Sequence, residues 1–137
     1  MAFFASPELA KWGMDWYLHP AFETCNFTAG LARVNRETDA FLENLGYQHD
    51  REKGVYFPIQ ANEKRIALFA HREFGMAFLS SLLDLPYPLV YTHFDICFTG
   101  WTVIDFPEEN GVVIPKLVAH SCSPHLDLVG LSPEYTK

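Results

Sequence analysis

Apolar and polar residues recur with a helical period in the first third of this chain. Ser6-Pro7-Glu8 is typical of a helix start, because it offers a hydroxyl cap, a proline at the first helical position and an acid in the first turn. This helix is predicted to run to about His19. A second helix is predicted over residues 28–45, ahead of the terminating Gly46. The pattern therefore predicts a helical region over residues 1–47.

The helical period of apolar residues is interrupted in the middle of the chain. Residues 65–70 (RIALFA) form a nearly continuous apolar run, which is typical of a central parallel strand that is covered on both faces. A helical stripe follows this run and ends near Leu85-Pro86. A short helical segment is predicted over residues 87–94. This stretch thus predicts one buried strand that feeds a helix.

Two further apolar runs predict a β-hairpin. They cover residues 102–106 (TVIDF) and 112–118 (VVIPKLV), and the polar turn 107–111 separates them. Pro115 removes one ladder donor, so the second strand should lie at a sheet edge. The predicted fold class is α/β, with a small sheet made of strand 65–70 and this hairpin, packed with helices.

Length and composition favour one ordered domain, residues 1–137. The chain is 49% hydrophobic and 15% aromatic, and its net charge of −7 makes a nucleic-acid partner improbable. The three cysteines, Cys25, Cys97 and Cys122, are scattered and odd in number, which argues against a disulfide framework or a zinc site. No apolar run has transmembrane length. The residues favour a cytoplasmic location without a membrane partner, metal ion or cofactor.

His71 is the candidate functional residue, because it stands where strand 65–70 meets the next helix. The free backbone N–H groups and the dipole at a helix start favour phosphate or carboxylate groups. A histidine there can donate a hydrogen bond or exchange a proton. Arg72 could add a cation, whereas Glu73 would repel an anion if it faced the site. The alternative for His71 is a core histidine bonded to a backbone carbonyl.

The order of these elements resembles the carboxy-terminal half of the histidine phosphatase (phosphoglycerate mutase-like) superfamily. The resemblance covers residues 64–127, which form the phosphatase-like α/β region. It rests on LFAH (68–71), FLSSLLDLP (78–86), TVIDF (102–106) and SPHL (123–126).

The resemblance implies a partial phosphoglycerate mutase-like sandwich and a link to phosphate monoester hydrolysis. In that family a nucleophilic histidine of an R-H-G motif carries the phosphoryl group. Two arginines and a second histidine surround the phosphate. By resemblance, His71 is that second, catalytic histidine. Together with Arg72 it would bind a phosphate ester or phosphate ion.

The chain departs from the family at the nucleophile, because none of its arginines begins an R-H-G tripeptide. We therefore expect a truncated phosphatase-like protein that is inactive as an isolated chain. A non-catalytic oligomerisation or anion-binding module is the alternative.

In the family the R-H-G strand lies beside the strand that matches residues 65–70. Its loss should leave an unpaired edge in the sheet. Strand 65–70 could close onto the strand around 102–106, two copies could fill each other's gap, or another protein could supply the complementing amino-terminal half. A homo-oligomer is the favoured outcome.

Overall fold

The computed structural model describes residues 2–60 and 63–135. Helices and small antiparallel sheets pack together in a mixed α/β arrangement. The helices in these ranges are α1 Pro7–Ala10, α2 Phe27–Asn44, α3 Arg72–Leu82, α4 Tyr87–His93 and α5 Pro124–Asp127. The strands are β1 Tyr47–Asp50, β2 Val55–Pro58, β3 Trp101–Asp105, β4 Glu108–Glu109, β5 Val112–Val113 and β6 Lys116–Cys122.

The first helix starts where the sequence predicts and ends early. The side chain of Ser6 accepts a hydrogen bond from the Leu9 N–H at 3.1 Å, so the predicted cap is confirmed. The α-helix stops after Ala10, and a 3₁₀ helix follows over Gly13–Leu18. Gly13 has a φ of 51°, which a continuous helix does not allow. The predicted helical run to His19 is therefore wrong as a single helix.

Helix α2 confirms the predicted second helix to within one residue at either end. Gly46 follows it with a φ of 96°, the left-handed conformation that favours glycine after a helix. Neither α2 nor any other helix of residues 2–60 and 63–135 is long and apolar enough to cross a bilayer.

Four short strands form the first sheet, in the order β1-β2-β5-β4, with every neighbouring pair antiparallel. Strands β1 and β2 form a hairpin, which the sequence patterns described above do not predict. Asn110 and Gly111 link β4 to β5 with φ values of 56° and 77°. Two positive φ values at an Asn-Gly pair are typical of a tight hairpin turn.

Strands β3 and β6 form a second, two-stranded sheet. Asp105 pairs with Lys116 and Ile104 with Leu117, so the predicted pairing of the two apolar runs is confirmed only for the end of the second run, and the predicted turn 107–111 is wrong because it contains β4. Residues 112–113 instead join the first sheet. Pro115 lies between β5 and β6, where the chain passes from one sheet to the other and no ladder hydrogen bond is needed.

Helix α3 connects two clusters of buried side chains. Leu82 contacts one cluster, which also contains Leu42, Tyr56 and Val113 from α2 and the first sheet. Met76 and Leu79 contact α4 through Val90, and Ile104 and Leu117 of the second sheet cover this cluster. Residues on successive turns of α3 thus hold both sheets and two helices together.

The predicted buried strand over residues 65–70 is wrong for the single chain. These residues belong to no strand and are all exposed, with Ile66 52%, Leu68 49% and Phe69 93% accessible. They do not pair with β3 around residues 102–106, whose ladder partner is β6. An apolar run forms a strand only when a neighbour satisfies its backbone groups, and residues 2–60 and 63–135 offer none to this segment.

Candidate functional site

His71 lies at the N-cap of α3, immediately after the exposed segment. Its backbone is extended, with φ of −72° and ψ of 156°, and its carbonyl accepts the first helical hydrogen bond from the Gly75 N–H at 2.9 Å. The imidazole is exposed and has no hydrogen-bond partner in the part of the chain that the structure describes. His71 is therefore open to a ligand or a partner, and it is not the carbonyl-bonded core histidine that was the alternative.

The Arg72 side chain contacts Glu73, Tyr91 of α4, and Asp95, which lies beyond the end of α4. Its Nε donates to Asp95 Oδ1 at 2.8 Å, one Nη lies 3.3 Å from Glu73 Oε1, and the guanidinium lies over the Tyr91 ring. Burial acts to lower the pKa of Arg72, but the hydrogen bond and charge of Asp95 outweigh it and raise that pKa above its ordinary value. The cation is permanent, yet two carboxylates already neutralise it.

A second cluster of charged side chains joins β1, α2 and the end of α3. His49 is its centre, with a fully buried side chain. Its Nδ1 lies 2.8 Å from Asp39 Oδ1, and its Nε2 lies 2.8 Å from Asp84 Oδ2. The ring stacks on Tyr56, with centroids 4.0 Å apart. A doubly protonated imidazole donates to both carboxylates, whereas a neutral ring donates to one.

Arg51 bridges the same two carboxylates from the solvent side. Its Nε and one Nη donate to the two oxygens of Asp39 at 2.9 and 2.7 Å, a forked arrangement that favours short, directional hydrogen bonds. The other Nη donates to Asp84 Oδ1 at 3.1 Å. Ser81 accepts two more hydrogen bonds, through its hydroxyl and its carbonyl. Every polar group of Asp39 and Asp84 that faces Arg51 is thus engaged.

Tyr56 closes the buried side of this cluster. Its hydroxyl donates to the Leu82 carbonyl at 2.8 Å. Burial, and then the nearby Asp84 carboxylate, raise the pKa of the phenol well above its ordinary value. The hydroxyl therefore remains a neutral donor at physiological pH, and it holds the end of α3 against β2.

The His49 cluster is a structural brace, because its donors and acceptors are satisfied by one another. The elements predicted from the sequence do not include β1, so the sequence patterns do not reveal this cluster. The available signal was the spacing of His49 and Arg51, since alternate residues of a strand share a face. In the structure Arg36 pairs with Glu37, and Asp39 turns to Arg51.

One cavity has a volume of about 270 Å³. It lies between the amino-terminal turns and α4, and its lining includes Leu9, Pro86, Leu89 and His93. Neither His71 nor Arg72 contributes to it. Residues 2–60 and 63–135 contain no group of three or more His, Cys, Asp or Glu side chains arranged to hold a metal ion.

His125, in the matched SPHL segment, contacts the loop that precedes β3. Its Nε2 lies 2.9 Å from Thr99 Oγ1. This contact ties α5 to the loop before β3, so His125 has a structural role.

Comparison of the chain with protein-family models, with curated proteins and with solved structures finds no match.

Proposed function

We propose that this chain is a non-catalytic association module, and that two copies associate through residues 65–70. The observation that supports the proposal is the state of this segment. It is apolar, exposed and without a strand partner. A backbone of this kind readily adds a strand from another chain, because the ladder hydrogen bonds supply affinity and the side chains supply specificity.

The side chains of the segment favour association over a solvated loop. Ile66, Leu68 and Phe69 follow one another closely, and each exposes 49% or more of its accessible surface. Single exposed apolar residues are ordinary in proteins, but contiguous ones are typical of an interaction surface. None of residues 65–70 makes a hydrogen bond within the described ranges, so pairing would cost the single chain no existing bond.

Two neighbouring proline substitutions test this proposal. Adjacent residues of a strand direct their N–H groups to opposite edges, so either Ala67 or Leu68 must donate to the partner strand. We expect one of Ala67→Pro and Leu68→Pro to abolish the dimer, since proline lacks the donor. The other should weaken it far less and serve as the matched control.

Light scattering over a micromolar concentration series measures the outcome. Circular dichroism should show both variants folded, because the segment makes no ladder bonds within the single chain. A native chain that stays monomeric throughout the series would contradict the proposal, as would a dimer that tolerates both prolines.

Phosphate-ester chemistry at His71 is a second candidate, and the open imidazole at the start of α3 favours it. In this candidate the site resembles that of a histidine phosphatase without its nucleophile. Inorganic phosphate should then shift the NMR signals of His71 at millimolar concentration, and His71→Ala should abolish the effect. The chain alone should not hydrolyse an aryl phosphate. Hydrolysis that survives His71→Ala, or the absence of any phosphate-dependent shift, would contradict this candidate.

A further inference from the structure

We infer that the two copies pair antiparallel about Ala67, so that Glu63 of the partner subunit lies opposite His71. This inference rests on the proposed association through residues 65–70 and specifies its register. It also makes the surroundings of His71 a composite of two chains. The argument uses the symmetry of a homodimer, the charges along the segment and the exposure of its side chains.

Symmetry restricts the possible registers. A two-fold axis through an antiparallel pair maps each strand onto the other while keeping side chains on the same face. One residue must therefore lie opposite its own copy, because directly opposed residues share a face. The candidates for that residue at the centre of the segment are Ile66, Ala67 and Leu68.

Charge decides among the three registers. Centring on Leu68 places Arg65 opposite His71 of the partner subunit, so two basic groups face each other. Centring on Ile66 places Glu63 opposite the apolar Phe69 and Arg65 opposite Ala67. Opposed like charges destabilise a strand pair, and charges opposite apolar side chains lose water without gaining a partner.

Centring on Ala67 brings complementary residues together on both faces. On one face, Arg65 lies opposite Phe69, which is a cation–π arrangement, and Glu63 lies opposite His71. On the other face, Ile66 lies opposite Leu68 in both halves of the pair, and Lys64 lies opposite the small Ala70 at either end. The small Ala67 occupies the axis, where two copies of one side chain must meet.

This register gives His71 a partner that its own chain lacks. The imidazole has no hydrogen-bond partner in the described residues, and Glu63 is likewise exposed. In the dimer the carboxylate of Glu63 would accept a hydrogen bond from the imidazole. Two such pairs form by symmetry, one at each end of the paired segment.

Single cysteines at the three candidate positions report the register directly. Oxidation of Ala67→Cys should cross-link the dimer, because opposed Cα atoms lie about 4.5–5.5 Å apart and a disulfide spans that distance. Ile66→Cys and Leu68→Cys should not cross-link, since their copies are offset by two residues and lie about 8 Å apart. All three variants carry Cys25→Ser, which removes the exposed native thiol.

A charge exchange tests the composite site. Glu63→Lys should raise the dimer dissociation constant roughly tenfold, because both symmetric pairs lose their carboxylate. His71→Glu should also weaken the dimer, since it opposes two carboxylates. Combining the two substitutions should restore native affinity. Glu52→Lys, which makes the same charge change at an exposed turn residue, should have little effect.

The results separate the register from the association itself. Cross-linking at Ala67 alone, together with rescue by the charge exchange, would support the inference. A proline-sensitive dimer that cross-links at residue 66 or 68, or at none of the three, would overturn the register and leave the association module intact. A dimer that Glu63→Lys and Glu52→Lys affect equally would overturn the Glu63–His71 pair.

Discussion

Replacing Arg51 by alanine should destabilise this protein by about 2–4 kcal/mol. The guanidinium donates to Asp39, Asp84 and Ser81, and its removal leaves two carboxylates that face each other across His49 without their permanent cation. The expected loss is below that for a fully buried pair, because 27% of the Arg51 side chain is exposed and water can enter. Urea unfolding, followed by circular dichroism, measures the change in the free energy of unfolding.

Arg36→Ala is the matched control. It removes the same side chain from an ion pair with Glu37, in which both side chains are two-thirds exposed. The expected cost is under about 1 kcal/mol, as for most surface pairs. Equal stability of the two variants would contradict the assignment of the His49 cluster as a brace.

Replacing Trp16 by alanine should cost about 3–5 kcal/mol of stability. The indole is 4% exposed and is the centre of an aromatic cluster near the amino terminus. Its ring centroid lies 5.2 Å from that of Phe27 and 5.9 Å from that of Tyr87, so it joins α2 and α4 to the first turns of the chain. The variant leaves a cavity that rigid neighbouring rings cannot close.

Thermal unfolding measures the loss of stability, and native-state hydrogen exchange shows where in the chain it occurs. Trp12→Ala serves as the control, because Trp12 is 38% exposed and meets mainly the edge of His19. We expect Trp16→Ala to increase exchange throughout residues 2–22 and Trp12→Ala to leave it nearly unchanged. Similar losses in the two variants would show that the cluster does not depend on Trp16.

Local signals in the sequence correctly predicted several elements. Ser6 caps a helix and Gly46 ends one, because each acts on its own backbone or on residues a few positions away. The pairing of the 102–106 run with the end of the later run was predictable from their closeness in sequence, whereas the β4–β5 hairpin between them was not. Helix α2 was predictable from the helical period of its apolar residues alone.

Contacts between distant residues were beyond the reach of these patterns. His49 meets Asp39 and Asp84, which lie 10 and 35 residues away along the chain. Strand–helix packing decides which carboxylate turns towards the imidazole, and no spacing encodes that choice.

In residues 65–70, local sequence determined one property and the tertiary structure determined another. Their composition established by itself that these residues are apolar and able to form a strand, and that a helix begins after His71. The tertiary structure alone decided that the chain leaves them exposed, with Phe69 93% accessible. A helix satisfies its own backbone groups, so local sequence is enough to determine it. A strand is completed only by hydrogen bonds to a neighbour, and that neighbour is supplied by the fold or by a second molecule.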